Sequence, residues 1–157
     1  MAVGLDLDIR PARSEDILSI VCLLADDPLG ATREDASEPL LEDYRLAFEA
    51  IILDCRTKLV VAECAEAGIL GCLQLTTIPG LSHRGLTRAL IEDVRVDARF
   101  RGKGIGRQML EWAIGEAQRS GCRMVQLFVH ETRSDARGFY TGLGFEQVHA
   151  GLRLRLP

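Results

Sequence analysis

The sequence lacks the long apolar runs that membrane proteins need. No stretch approaches the ~20 consecutive apolar residues that cross a bilayer, because charged residues interrupt every hydrophobic run. The first eight residues lack the basic flank of a signal peptide, since they contain two acids and no Lys or Arg. We therefore expect a soluble, cytoplasmic protein with no membrane partner.

Positive charge is also scarce in this chain of 157 residues. Nineteen Lys and Arg are outnumbered by 23 Asp and Glu, and the net charge of −4 repels polyanions. This charge balance argues against a dedicated nucleic-acid binder. Hydrophobic residues at 47% and charged residues at 27% are typical of a globular chain rather than a disordered one. The length suits one domain, which we place at residues 5–157.

The cysteines and histidines lack the spacing of a metal site. The five cysteines are odd in number and none forms Cys-x-x-Cys, so a disulfide framework is not indicated either. His83, His130 and His149 have no metal-ligand spacing among themselves or with the cysteines. We expect buried thiols in a reducing compartment, and no metal.

Hydrophobic periodicity predicts alternating strands and helices. Strands are predicted at residues 5–10, 59–64, 69–76, 88–97 and 124–129, and helices at about 17–25, 38–55, 104–120 and 134–143. The segment 78–87 is a predicted loop, and Phe145–Leu156 is predicted to form two short strands around Gly151. The sequence shows no internal repeat or linker. This order predicts one mixed α/β (α+β) domain.

A glycine-rich turn joins the strand at 88–97 to the next helix. Gly102, Gly104 and Gly106 let backbone N–H groups converge at a helix N-terminus, which favours an anion and suits a diphosphate. Three basic residues add positive charge at its mouth: Arg101, Lys103 and Arg107. The alternative is a tight turn that needs glycine only for its shape. A nucleotide-triphosphatase loop does not fit, because no Ser or Thr follows Lys103, and a dinucleotide-binding turn would lie after the first strand.

Two separated motifs give the chain a resemblance to the GNAT superfamily of N-acetyltransferases. One is Ile91-Glu92-Asp93-Val94-x-Val96 leading into Arg101-x-x-Gly104-x-Gly106, and the other is Phe139-Tyr140-x-x-Leu143-Gly144-Phe145. The element order resembles that family from about residue 5 to the end. The resemblance implies a mixed, mostly antiparallel central sheet flanked by helices, with splayed strands that hold acetyl-CoA.

The resemblance also implies which residues bind acetyl-CoA, the expected cosubstrate. The pyrophosphate would contact the N–H groups of residues 101–106, and the pantetheine amides would pair like an extra strand with residues 94–96. Arg133 stands where many members have an Asn, and it is either a phosphate contact or an exposed arginine. The expected set is Val94, Arg95, Val96, Arg101, Gly102, Lys103, Gly104, Ile105, Gly106, Arg107, Arg133, Ala136, Phe139 and Tyr140.

Tyr140 is the candidate general acid. The resemblance places its phenol near the coenzyme sulfur, where it would protonate the leaving thiolate. The alternative is an ordinary half-buried aromatic packed beside Phe139.

Glu92 is the candidate general base. Strand alternation puts it in a row with Leu90, Val94 and Val96, and burial there would raise its pKa toward a useful range. The alternative is an ion pair with Arg88 or Arg123. A β-bulge would exchange the facing of Glu92 and Asp93, so Asp93 is the reserve base. By resemblance, the Val94 N–H stabilises the oxyanion.

These features predict an acetyl-CoA-dependent N-acetyltransferase that acts on a small primary amine by direct transfer in a ternary complex. We expect the acceptor where the acidic segment 26–43, the basic loop 78–87 and the tail around His149 converge. The Ile-Glu-Asp-Val stretch most resembles members that act on amino sugar phosphates and aminoalkylphosphonates. The alternatives are a non-catalytic acyl-CoA-binding sensor or interaction module, and acetylation of a protein or peptide amine. Self-association as a homodimer stays open.

Overall fold

Five strands form one sheet whose spatial order follows the chain order. They are β1 (Asp8–Pro11), β2 (Thr57–Cys64), β3 (Gly68–Ile78), β4 (Arg88–Val96) and β5 (Met124–Leu127). The structure is a computed structural model that describes residues 6–156. Strands β1 to β4 pair antiparallel. The Arg123 N–H donates to the Thr87 carbonyl at 3.0 Å, so β5 and β4 begin side by side. The mixed, mostly antiparallel sheet predicted from the sequence is confirmed. Leu5, where the first strand is predicted to begin, lies outside the described residues.

Within residues 6–156 there are five α-helices: α1 (Ile17–Ala25), α2 (Glu42–Leu53), α3 (Ser82–Gly85), α4 (Ile105–Arg119) and α5 (Ser134–Thr141). The helix predicted at 38–55 is shorter than expected, because a residue that precedes proline disfavours the helical conformation and Glu38 precedes Pro39. The predicted loop at 78–87 contains the single turn α3, in which His83 and Arg84 are left-handed. None of the helices within residues 6–156 combines the length and apolar content that crossing a membrane requires.

The helices α1 and α4 cover opposite faces of the sheet. Cys72 of β3 is fully buried in a cluster with Ile20 and Leu23 of α1. The neighbouring β3 residue, Gly71, instead approaches Met109 of α4 so closely that a Cβ there would lie 2.7 Å from the Met109 sulfur. Since successive strand residues point to opposite faces, the core consists of two layers, one on each side of the sheet.

The chain divides into two compact units, Met1–Gln126 and Leu127–Pro157. The second contains the last residue of β5, the helix α5 and the following tail. The two strands predicted between Phe145 and Leu156 are wrong, because these residues form no strand up to residue 156. Leu152, Leu154 and Leu156 keep the alternating pattern but are 100%, 84% and 81% exposed. Alternation shows which residues share a face of an extended segment, whereas a strand also needs a partner that supplies its hydrogen bonds.

A buried charge network attaches β1 to the turn before α1. Arg10 donates through Nη1 to Asp16 Oδ2 at 2.7 Å and through Nε to Glu63 Oε2 at 2.6 Å. Asp16 is 4% exposed and also accepts the Arg13 N–H at 2.8 Å. The Arg10 guanidinium holds the pKa of Asp16 below its usual range. The carboxylate therefore stabilises the folded chain only while it is ionised.

We predict that Asp16→Asn lowers the free energy of unfolding by about 2 kcal/mol at pH 7, because a charged hydrogen bond in a buried pair is lost. The folded-state pKa is lower than the unfolded value of about 3.9, so the contribution is complete at neutral pH and is lost as the pH falls through the folded-state pKa. Denaturant unfolding at pH 7 and at acidic pH measures both effects. Glu49→Gln, in an exposed pair with Arg45, should cost about 0.5 kcal/mol or less. Equal losses for the two variants would contradict the prediction.

Candidate active site

Strand β4 contains a β-bulge at Asp93. The Cα pairs Cys72–Arg95 and Gln74–Glu92 flank it, so two residues of β4, 93 and 94, lie opposite the single residue 73 of β3. Asp93 has a φ of +51°, in the left-handed region that non-glycine residues rarely adopt. The bulge that the sequence leaves open as an alternative is therefore present.

The bulge changes which β4 side chains share a face. Glu92 and Arg95 lie opposite β3 residues 74 and 72, which are two positions apart and point to the same face. That is the face on which Cys72 packs against α1. Val96 lies opposite residue 71, on the other face. The predicted row of Glu92 with Val96 is therefore wrong, because the extra residue shifts the alternation.

Glu92 is more exposed than the predicted apolar row implies. Partial burial still raises the pKa of its carboxyl above the ordinary value, and the adjacent charge of Asp93 adds to that effect. Among the residues that the structure describes, Glu92 forms no ion pair with Arg88 or Arg123. Arg123 instead directs Nη2 to the His83 carbonyl at 3.4 Å.

Side chains hold both carbonyls of the bulge. The Cys72 thiol donates to the Asp93 carbonyl at 3.7 Å, and Arg95 Nη1 donates to the Val94 carbonyl at 3.0 Å. Burial raises the pKa of the Cys72 thiol to about 12, so this group stays protonated and remains a donor at neutral pH. Cys72 thus holds the peptide that carries the Val94 N–H through its own carbonyl, and Arg95 holds the carbonyl of the peptide that follows.

Two consecutive carboxylates at the end of α1 attach this helix to β4 and to the following turn. Asp26 Oδ2 accepts the Ala98 N–H at 3.1 Å and Arg101 Nη2 at 3.1 Å. Asp27 Oδ2 lies 3.4 Å from Arg95 Nε, and these two side chains are only 12% and 14% exposed. The end of α1 therefore contacts both the bulge and the glycine-rich turn.

The basic residues of the turn have neighbours within the protein. Arg101 is held by Asp26 and also donates through Nε to the Val96 carbonyl at 3.0 Å. Arg107 lies 3.8 Å from Glu111, one helical turn along α4. The Lys103 ammonium lies 4.6 Å from the centre of the Phe100 ring. The carboxylate at the end of α1 therefore already engages Arg101, and the part of Arg101 in binding an anion stays a prediction.

The backbone of the turn is suited to hold an anion. Gly102 and Gly104 have φ of +76° and +86°, which a residue with a Cβ adopts only with strain. The first hydrogen bond within α4 runs from the Gln108 N–H to the Gly104 carbonyl at 3.1 Å, so the N–H groups of residues 105–107 have no acceptor in the preceding helical turn. A Cβ at either glycine would meet no atom within 4 Å. This open space above the helix N-terminus fits a diphosphate.

In the second unit, Tyr140 belongs to an aromatic cluster on α5. Its ring packs edge-on against Phe139, with centroids 5.2 Å apart, and against Phe145 at 6.0 Å. Tyr140 is half-buried, as is Ala136. Arg133 is the residue that precedes α5. This packing agrees with the plain aromatic interpretation of Tyr140, and its role as an acid stays a prediction.

Sequence reasoning missed the part that Asp27 plays. The sequence places Asp27 only at the end of a helix and in the acidic segment 26–43, yet its Oδ1 accepts the N–H groups of Leu29 and Gly30 at 2.9 and 2.8 Å. Gly30 is required there, since a Cβ would lie 1.9 Å from the Leu24 carbonyl oxygen. The Asp-Pro-Leu-Gly order signals such a turn. No signal in the sequence indicates that the other oxygen of Asp27 pairs with Arg95.

Within residues 6–156, apart from the side chains of Ser134 and Asp135, we find no cluster of acidic, cysteine and histidine side chains that could bind a metal ion. The expectation that the protein uses no metal stays a prediction.

Known proteins match this chain in sequence and in fold. The model of the acetyltransferase (GNAT) family matches residues 21–145, from α1 to just beyond α5. The chain belongs to this family. Membership identifies it as an acyltransferase of the N-acetyltransferase type, as the resemblance predicts.

Three similar proteins illustrate the family. A crystal structure of a transcriptional regulator from Bacillus halodurans is 42% identical, with a TM-score of 0.92 over 96% of this chain and 99% of that one. The aminoalkylphosphonate N-acetyltransferase of Salmonella typhimurium is 27% identical over 90% of this chain and 86% of its own length. A predicted acetyltransferase from Clostridium acetobutylicum, solved with acetyl-CoA, shares the fold at 18% identity and a TM-score of 0.72, over 95% of this chain and 96% of that one.

We predict that the Glu92 carboxyl titrates above the ordinary glutamate value of about 4.3, because it is partly desolvated beside Asp93. Asp93→Asn should lower this pKa only in part, since burial, the larger cause, remains. Asn tolerates the left-handed conformation, so the bulge is kept. Carboxyl-detected NMR titration measures the shift. Glu116 is the internal control, because hydrogen bonds from Lys58 and Arg119 lower its pKa. A Glu92 value at or below 4.3 would contradict the prediction.

Proposed function

We propose that the protein transfers the acetyl group of acetyl-CoA to the primary amine of a small molecule that also carries a phosphate or phosphonate group. The observation that carries the proposal is the bulged strand β4 running into the open helix N-terminus at Gly104. The aminoalkylphosphonate relative supports the acceptor class.

The coenzyme supplies an acetyl thioester when it is bound. In the proposal, its pyrophosphate accepts hydrogen bonds from the turn, where the N–H groups of residues 105–107 and the open space at Gly102 and Gly104 favour an anion. Residues 94–96 offer backbone groups to the pantetheine amides. Lys103 adds a positive charge close to the turn.

Glu92 serves as the general base in this proposal. An ammonium group must lose its proton before the nitrogen can attack, and a carboxylate with a raised pKa accepts that proton directly or through one water. The raised pKa of Glu92 and the lack of an ion pair within the described residues both suit this role. Asp93 is the reserve base.

Two donors complete the proposed chemistry. The Val94 N–H would stabilise the negative oxygen that forms on the thioester carbonyl. Cys72 holds the peptide of this N–H, and Arg95 holds the carbonyl of the next peptide. The Tyr140 phenol would donate its proton to the thiolate that leaves.

The segment between α1 and α2 provides charges of both signs for such an acceptor. Glu34 accepts a hydrogen bond from the Tyr44 hydroxyl at 3.1 Å, and it pairs with Arg33. The pKa of Arg33 is raised, chiefly by the hydrogen bond to Glu34 and against the opposing effect of burial. The charges of Asp93 and Asp27 also raise this pKa. Arg33 therefore lies within electrostatic range of the bulge. An amine with an anionic end would meet carboxylates and a guanidinium on the same side of β4.

A second candidate is a regulatory protein that binds the same coenzyme without turnover. The structure described as a transcriptional regulator, at 42% identity, favours this alternative. The two candidates differ in one observable, the amine-dependent release of coenzyme thiol.

We predict that purified protein with acetyl-CoA releases thiol when an aminoalkylphosphonate or an amino sugar phosphate is added. The same amines without the phosphorus group should react with a higher KM. A colorimetric thiol assay with a panel of such matched pairs measures this. Tight coenzyme binding in calorimetry without thiol release for any amine would favour the regulator instead.

We predict that Glu92→Gln and Tyr140→Phe each lower kcat by about 10²-fold or more, as expected for the loss of a general base or acid. The dissociation constant for acetyl-CoA should change little in both variants. Glu49→Gln, in an exposed pair with Arg45, is the matched control for the carboxylate. An unchanged kcat in either variant would remove that residue from its proposed role.

A further inference from the structure

We propose that Asp27 and Arg95 form a positioning pair that fixes the Val94 carbonyl and the loop between α1 and α2 relative to each other. The expected effect of the pair on kcat rests on the proposed function. Its effect on the structure around Val94 can be measured without turnover. Neither side chain is placed in contact with the reacting atoms, so both are positioning residues rather than catalytic ones.

Arg95 connects the pair to the bulge. Its Nη1 donates to the Val94 carbonyl at 3.0 Å, while its Nε lies 3.4 Å from Asp27 Oδ2. The Nε atom is buried and has no hydrogen-bond partner among the described residues, so Asp27 compensates its charge through the ion pair. Removing the carboxylate would leave a buried guanidinium with its charge poorly compensated, and that side chain would shift toward water.

Asp27 connects the pair to the loop. Its Oδ1 accepts the N–H groups of Leu29 and Gly30, and its backbone carbonyl accepts the Ala31 N–H at 2.8 Å. The Gly30 carbonyl in turn accepts the N–H groups of residues 33 and 34 at 2.9 and 2.8 Å. One carboxylate therefore organises the segment that presents Arg33 and Glu34.

The two oxygens of Asp27 thus serve two different parts of the site. Oδ1 shapes the loop that, in the proposed function, faces the acceptor. Oδ2 holds the arginine that fixes the Val94 carbonyl, one peptide beyond the N–H of the proposed oxyanion donor. A small displacement of a reacting group costs a large factor in rate, so an error in this pair should appear in kcat rather than in binding.

Asp27→Asn separates the two contacts, because the Asn oxygen still accepts the Leu29 and Gly30 N–H groups while the charge next to Arg95 is lost. We expect kcat to fall at least 10-fold, with the acetyl-CoA dissociation constant within about 3-fold of the unmodified protein. The neighbouring Asp26→Asn is the matched comparison. It weakens the contacts to Ala98 and Arg101 at the glycine-rich turn, so it should change coenzyme affinity more than kcat.

A double-mutant cycle tests whether the two residues act together. Arg95→Met alone should lower kcat, and adding it to Asp27→Asn should cost little more than the worse single change. Additive losses would overturn the pairing, as would an unchanged kcat in a folded Asp27→Asn protein. Asp16→Asn controls for stability alone, because it weakens a buried ion pair at the opposite end of α1 from Asp27.

The amide NMR signal of Val94 provides a readout that does not depend on activity. In Asp27→Asn it should shift and exchange with solvent at least 10-fold faster, whereas in Glu49→Gln it should be unchanged. If no amine supports turnover but this signal responds, the proposed function fails and the positioning pair stands. If turnover is found and the signal does not respond, the pair is overturned.

Discussion

The bulge at Asp93 is the constraint on which the rest of the site depends. A regular strand would satisfy its backbone groups with its neighbours and would place Arg95 on the face away from α1. The extra residue instead turns Arg95 toward α1 and puts it on the face of Glu92. A left-handed aspartate costs about 1–3 kcal/mol and persists only where its surroundings determine it. Cys72, Arg95 and Asp27 are those surroundings.

The local arrangement of charges in this protein matters more for anion binding than its net charge. The net charge of −4 argues against a polyanionic partner, and yet the helix α4 begins with N–H groups that face open space. The carboxylates of Asp26 and Asp27 bind basic side chains that would otherwise lie free near the turn and the strand. The positive potential that remains at the turn comes from Lys103 and from the backbone, whose direction the fold fixes.

Much of the fold was predictable because it depends on local chemistry. Apolar spacing located α1, α4 and β2 to β4, and the glycines at 102 and 104 located the turn with its left-handed backbone. The face of Arg95 was not predictable, because a single extra residue reverses the alternation and leaves no trace in composition. The prediction of strands in the tail after Phe145 was wrong for a related reason. Its alternating apolar residues indicate an extended segment, but they do not show whether a neighbouring strand is present to pair with it.

The same difference explains why the candidate site was predicted unevenly. Glycine and proline act on their own backbone, so their positions can be interpreted one residue at a time. An ion pair such as Asp27 with Arg95 joins residues 68 positions apart, and either residue alone resembles an ordinary surface charge. Only when β4 is bulged and α1 ends above it do the two side chains become buried together. The pair is therefore a consequence of the fold, and the position of the Val94 carbonyl is in turn a consequence of the pair.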